Sequence, residues 1–163
     1  MATHNLYLIR HAETLNQLSN QTDFDRELTT KGRRDASNLG KYLKDQKISI
    51  DYILSSPTIR TLATCSLINE PLLLPKEKIQ AIDSMYHASP DKLLDLARAI
   101  HDEFQHVVIL GHNPAISSFT NELVIRNVGN FVPAMLVCIQ FSIESWKELN
   151  FKTGRLLFIK SPS

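Results

Sequence analysis

Short runs of apolar residues alternate along the chain with longer stretches in which apolar positions recur at helical spacing. Leu6–Ile9, four apolar residues in succession, predicts a first strand. The polar stretch that follows, to about Leu28, shows no period and predicts a loop. From Thr30 to Gln46, Ala36, Leu39, Gly40 and Leu43 share one helical face, with Thr29 or Thr30 as N-cap. Tyr52–Leu54 predicts a short strand. Ser56-Pro57 then reads as a helix start, Ser56 as N-cap and Pro57 in the first helical position, with the helix continuing through Leu62, Cys65 and Leu67. Ile79–Ile82 predicts a further strand, and Ser89-Pro90-Asp91 opens a helix to about Ile100. Val107–Leu110 has the unbroken apolar character of a buried parallel strand, and "GHNP" hands it to a helix near Pro114–Arg126. Leu136–Ile143 and Leu156–Lys160 predict a closing pair of strands. Alternating strands and helices of this kind predict α/β architecture in three layers (α/β/α), a mostly parallel sheet with helices on both faces. Residues 1–163 are expected to form one domain, long enough to bury a core without staples.

Composition narrows the functions more than the fold. Apolar residues make up 43% of the chain and charged ones 21%, an ordinary globular balance. A formal net charge of +1 leaves no electrostatic footprint for nucleic acid, and no basic block marks a membrane surface. Cys65 and Cys138 are far apart and match no zinc or redox spacing, so both are expected to be buried, reduced thiols. No basic segment followed by an apolar run and a small-residue cleavage site opens the chain, and no run approaches the roughly 18 apolar residues of a membrane span. A cytoplasmic protein is expected.

Candidate chemistry enters at the carboxyl ends of the strands, where open α/β sheets gather their ligands. Arg10 and His11 stand directly behind the first apolar run, His112 directly behind the fourth, and Arg60 near the start of the second helix. Helical side chains lean toward the helix N-terminus, so Arg60 should return to the sheet edge beside free backbone N–H groups. Two planar guanidinium forks suit the oxygens of a phosphoryl dianion, and a neutral imidazole can attack phosphorus at neutral pH. A merely capped strand needs neither.

The blocks "LIRHAE", "ELTTKGRRDA", "SSPTIRT" and "VVILGHNP", in this order, resemble the histidine phosphatase superfamily, which includes phosphoglycerate mutases and acid phosphatases. The compact length and the "LTTKG" stretch look most like its SixA-type phosphohistidine phosphatases. That resemblance implies a phosphoglycerate mutase-like fold. It also implies His11 as the transiently phosphorylated nucleophile, with Arg10, Arg60 and His112 completing the phosphate pocket. The family's usual Arg-His-Gly reads Arg10-His11-Ala12 here, and Ala63 stands where many members carry a glutamine. Mutases and broad phosphomonoesterases place an acidic general acid after the third strand. The nearest candidate is Asp83 in "AIDSMYHAS", where His87 could border the pocket.

Other phosphate chemistries fail on spacing. Where a cysteine phosphatase needs its arginine, Pro71 follows Cys65 and Glu144 follows Cys138. The acidic "DFD" at Asp23–Asp25 is preceded by polar "SNQT", not by the buried strand an aspartyl-phosphate motif requires. Gly111 begins no Walker loop, since Ile116 occupies the position of the second glycine, and the histidines form no zinc pair. A metal-free phosphatase with no cofactor is therefore expected. Its substrate would be a phosphohistidine-bearing protein. The alternatives are a small phosphorylated molecule or a non-catalytic phosphoprotein-binding module. An imidazole leaves phosphorus more readily than an alkoxide and needs less help from a placed acid. Doubt over Asp83 and the absence of long inserts therefore favour the first.

Overall fold

The computed structural model describes residues 2–162. Its sheet is ordered β3-β2-β4-β1-β5-β6, built from β1 (His4–Arg10), β2 (Tyr52–Ser55), β3 (Ile79–Ala81), β4 (His106–Gly111), β5 (Leu136–Phe141) and β6 (Arg155–Lys160). β3, β2, β4 and β1 pair in parallel, while β5 runs antiparallel to β1 and to β6. Four α-helices cover it among the described residues: α1 (Thr30–Asp45), α2 (Ile59–Leu72), α3 (Pro90–Arg98) and α4 (Ala115–Leu123). The three-layer α/β arrangement expected from the alternating pattern is the one observed.

Successive residues of a strand face opposite sides of the sheet, and β1 uses both. Leu6 and Leu8 join Leu93, Ala97, Ile116 and Phe119 from α3 and α4 in one core. Tyr7 and Ile9 join Ala36, Leu39, Leu43, Cys65 and Ile68 from α1 and α2 in the other. β4 divides in the same way, with Val107 and Ile109 on the first side and Val108 and Leu110 on the second. Both central strands are thus buried on two faces, which is why they read as continuous apolar runs. The cysteines lie buried and unpaired, as expected, and burial pushes their thiols up, Cys65 to about 11 and Cys138 to about 12.

The largest departure from the sequence reading lies at the start of α2. Ser56 is not its N-cap and Pro57 is not its first residue. Thr58 caps the helix, accepting from the Thr61 amide, and the helix begins at Ile59. The reason is tertiary. The Ser56 amide donates to the Leu110 carbonyl at 3.1 Å, so Ser56 still belongs to the sheet edge. α2 also runs past Leu67 to Leu72, carrying Pro71 in its last turn, where Leu73 ends it in the left-handed conformation (φ 59°). α4 stops at Leu123, short of Arg126, because Val124 turns extended and bridges to Gly154.

Gly40 lets α1 pack tightly against α2. A Cβ there would collide with the backbone carbonyl of Ile68. Backbone gives way less readily than a side chain, so Gly40→Ala should cost roughly 1–3 kcal/mol. That corresponds to a fall in thermal midpoint of about 2–4 °C per kcal/mol for a domain of this size. A melt followed by circular dichroism would read it. An unchanged midpoint would mean that the two helices have room to spare.

Candidate active site

In the parallel β1–β4 ladder, Arg10 lies opposite Gly111. The next residues, His11 and His112, leave the sheet together, with ring centroids 5.3 Å apart. The His11 amide donates to the Gly111 carbonyl (3.1 Å), and the Ala134 amide donates to the carbonyls of both Arg10 and His11. One position further, the Ala12 amide donates to Thr64 Oγ1 (3.1 Å), whose hydroxyl donates to the Arg60 carbonyl (2.7 Å). The backbone on either side of His11 is thereby tied to β4, to the β5 approach and to α2.

His11 is buried, and its Nδ1 lies 2.8 Å from the Ala12 carbonyl oxygen. A carbonyl only accepts, so Nδ1 carries the proton and Nε2 keeps its lone pair. Burial, followed by Arg60, Arg10 and Arg26, pulls the pKa of His11 down to about 4, with the Ala12 carbonyl opposing. His112 is pulled down to about 3 by burial, then by His11 and Arg60, with Asp23 opposing. Its Nε2 lies 2.6 Å from Ser56 Oγ, and its Nδ1 is buried with no hydrogen-bond partner in the described structure. If Ser56 donates, the proton of the neutral ring sits on Nδ1. Both imidazoles are neutral bases at neutral pH.

The cations come from three directions. Arg10 Nη1 donates to the Phe131 carbonyl (2.9 Å), which also accepts from Asn113 Nδ2 (3.0 Å), while Arg10 Nε is buried without a partner in the described structure. Arg60, the second residue of α2, is 6% exposed and does return to the sheet edge. Its Nη1 donates to the Asp23 carbonyl (2.6 Å) and its Nη2 to Asp23 Oδ2 (3.0 Å). Arg26 bonds the other oxygen of Asp23 at 3.2 Å and is itself held by Thr14 and Leu15. The Tyr86 hydroxyl donates to Asp23 Oδ2 at 2.6 Å. That hydroxyl, then Arg60 and Arg26, hold the Asp23 carboxyl well below the usual carboxylate range, against the partial burial that opposes them.

Arg10, His11, Arg60 and His112 thus converge from three segments, as their positions in the sequence predicted. Asp83 is not hydrogen-bonded into this group. It opens a 3-10 turn (Asp83–Met85) just after β3, is exposed, and its side chain bonds none of the four. Its carbonyl accepts the Tyr86 amide, so the turn's visible product is the placement of Tyr86. The Tyr86 ring lies 5.7 Å from His112 and stacks on His87 at 4.1 Å, which sets His87 at the rim. Asp23, Arg26, Tyr86, Thr64 and the hydroxyl of Ser56 were not among the candidates read from sequence. The spacing of Asp23 and Arg26, three residues apart, was the one available signal. Among the described residues, no group of three or more His, Cys, Asp or Glu side chains is arranged to hold a metal ion, and no helix is long and apolar enough to cross a membrane.

Comparison with known proteins agrees with this fold. An uncharacterized protein of Mycobacterium leprae is 26% identical over 148 residues, covering 86% of this chain and 89% of its own. A protein of Agrobacterium tumefaciens assigned as the phosphohistidine phosphatase SixA superimposes with a TM-score of 0.84 at 25% identity, over 98% of each chain. The protein histidine phosphatase SixA, solved in complex with tungstate, superimposes with a TM-score of 0.83 at 20% identity, over 97% of each chain. Residues 6–88, the stretch that carries Arg10, His11 and Arg60, match the family model of the histidine phosphatase superfamily (branch 1). The chain belongs to the histidine phosphatase superfamily.

Proposed function

We propose that this protein is a phosphatase that works through a phosphorylated His11 and that its substrate is phosphohistidine carried by another protein. The observation that carries the reading is the state of His11. Its proton is fixed on Nδ1 by the Ala12 carbonyl, and its Nε2 lone pair stands free beside His112 among three arginines. In the first step Nε2 bonds phosphorus while the P–N bond to the substrate imidazole breaks, and the departing ring takes up a proton. In the second, water attacks phosphorus, His11 leaves and inorganic phosphate is released. Arg10, Arg60 and the N–H of His112 stabilise the equatorial oxygens, the interactions of most value in phosphoryl transfer. The whole-length likeness to SixA proteins, one of them complexed with the tetrahedral oxyanion tungstate, supports both the pocket and the substrate class.

The covalent step is tested by trapping. Acid-labile, base-stable phosphate transferred from a phosphohistidine protein should map to His11 and disappear in His11→Ala, along with turnover. Full turnover by that variant would overturn the mechanism.

The depressed pKa of His11 sets the acid limb of kcat/KM, which reports the free enzyme. With a substrate that does not itself titrate there, the enzyme's limb should fall near about 4, not at the ordinary histidine value of about 6.5. The same shift has a stability consequence of definite sign. The unfolded chain binds protons more readily, so the contribution is complete above about 6.5 and is lost as pH falls toward 4. Its size is on the order of 3 kcal/mol. Denaturant melts across that window in wild type and His11→Asn would measure it, and parallel slopes would remove His11 as the source.

Asp83 decides between leaving groups. If phosphohistidine is the substrate, Asp83→Asn should cost less than about tenfold, because an imidazole departs without a strong proton donor. A loss of roughly 10²–10⁴-fold on alkyl phosphates, from a wild type that prefers them, would identify a phosphomonoesterase with Asp83 as its general acid.

A further inference from the structure

We propose that Asp23 is the resident counter-ion of Arg60, holding the guanidinium while the pocket is empty and yielding that edge to the phosphoryl group when substrate binds. This rests on the reading of Arg60 as a phosphate ligand and adds to it how the pocket fills and empties. The Arg60 side chain is 7% exposed. A buried guanidinium without an anion is strongly destabilising, so an empty pocket built around one needs a negative group of its own. Asp23 supplies it twice over. Its backbone carbonyl accepts from Nη1 and its carboxylate from Nη2, so both outer nitrogens end on one residue. Two N–H groups of a guanidinium on neighbouring oxygens is the pattern by which arginine also grips a phosphoryl group.

The two partners are built differently. Arg60 is fixed on a helix, whereas Asp23 opens a short 3-10 turn (Asp23–Asp25) and its side chain is 43% exposed. That turn sits in the long connection between β1 and α1, which is held at its ends by a single bridge from Thr14 to Leu28. A segment with few ladder bonds opens at lower cost than a helix or strand. Asp23 also has somewhere to go. One carboxylate oxygen is bound by Arg26, which is anchored to Thr14 and Leu15, and the other also accepts from Tyr86. Released from Arg60, the carboxylate keeps two donors.

Charge makes the exchange necessary. A phosphoryl dianion on Arg60 would lie within a few ångströms of the carboxylate, and like charges at that range repel. The consequence is kinetic. A pocket with three arginines beside two histidines would hold inorganic phosphate, the product, as well as it holds substrate, and uniform binding of that kind gains no turnover. By reclaiming Arg60, Asp23 expels the product.

Calorimetric titration with inorganic phosphate tests this. Asp23→Asn keeps the size and loses the charge, and it should bind phosphate about tenfold more tightly than wild type. Its KM on a phosphohistidine protein should fall more than its kcat, and product inhibition should strengthen. Asp23→Glu keeps the charge and should stay within about threefold of wild type. Phosphate bound by Asp23→Asn no better than by wild type, or more weakly, would show that Asp23 merely positions Arg60 and would overturn the proposal. Equal tightening in Asp23→Glu would overturn its electrostatic basis. A second reading needs no variant. In wild type, saturating phosphate should speed amide exchange over residues 22–26, and slower exchange there would count against release. If Arg60→Lys binds phosphate as tightly as wild type, Arg60 lies outside the pocket and the proposal goes with it. In contrast, an active enzyme whose Asp23→Asn variant fails these tests leaves the phosphatase reading standing.

Discussion

The parallel pairing of β1 with β4 is the constraint on which the site depends. It places Arg10 opposite Gly111, so the two histidines leave adjacent strands at the same height. Side chains alternate faces with a period of two, and a slip of one residue would turn His11 away from its partner. The register is fixed because it also sorts the cores. Leu6, Leu8, Val107 and Ile109 go to the α3–α4 side, and Tyr7, Ile9, Val108 and Leu110 go to the α1–α2 side. A slipped strand would bury its residues against the wrong helices on both faces at once. Hydrophobic sorting thus holds two polar rings at a fixed separation.

The electrostatic arrangement follows from what that edge can bury. Burial first, and then the arginines crowded around His11, keep both imidazoles unprotonated in water near neutrality. Each guanidinium is then tied off by an oxygen of the chain: Phe131 for Arg10, Asp23 for Arg60, and Asp23 with Thr14 and Leu15 for Arg26. Asp23 is the one carboxylate bonded to these arginines in the described structure, and it sits on the least regular of the contributing segments. The cations are rigid and their anion is on a loop.

The sequence made legible what periodicity controls. Strands β1 and β4 announced themselves as apolar runs, so the residues just behind them, Arg10, His11 and His112, could be placed at one edge before any coordinate was known. Arg60 followed from the lean of helical side chains, even though the helix begins two residues later than Ser56-Pro57 suggested. That error has a physical origin. Ser56 and Thr58 are both competent local caps, and the choice was made by a sheet hydrogen bond to Leu110, which no local signal carries. Freed from capping, the Ser56 hydroxyl orients His112. Asp23 was hidden for the complementary reason. Its segment has no period to read, and its partners Arg60 and Tyr86 are 37 and 63 residues away. The acidic group expected from the family pattern, Asp83, lies on the turn that delivers Tyr86, and its side chain hydrogen-bonds none of the four central residues.

One backbone carbonyl connects the fold to the proposed chemistry most directly. In the proposed step, as Nε2 of His11 bonded phosphorus its ring would gain positive charge, and the Nδ1–H to the Ala12 carbonyl would change from a neutral to a charge-assisted hydrogen bond. Such bonds are about twice as strong, so the Ala12 carbonyl would stabilise the proposed phosphohistidine more than the resting imidazole. An interaction that strengthens along the reaction is the kind that speeds it. Its value depends on the carbonyl not moving, and here the peptide is clamped on both sides. The Ala12 amide is bound by Thr64, which is tied to the Arg60 carbonyl, and Ala12 itself is wholly buried in the α1–α2 core. A methyl group packed there would serve the proposed reaction by holding the carbonyl beside it in place.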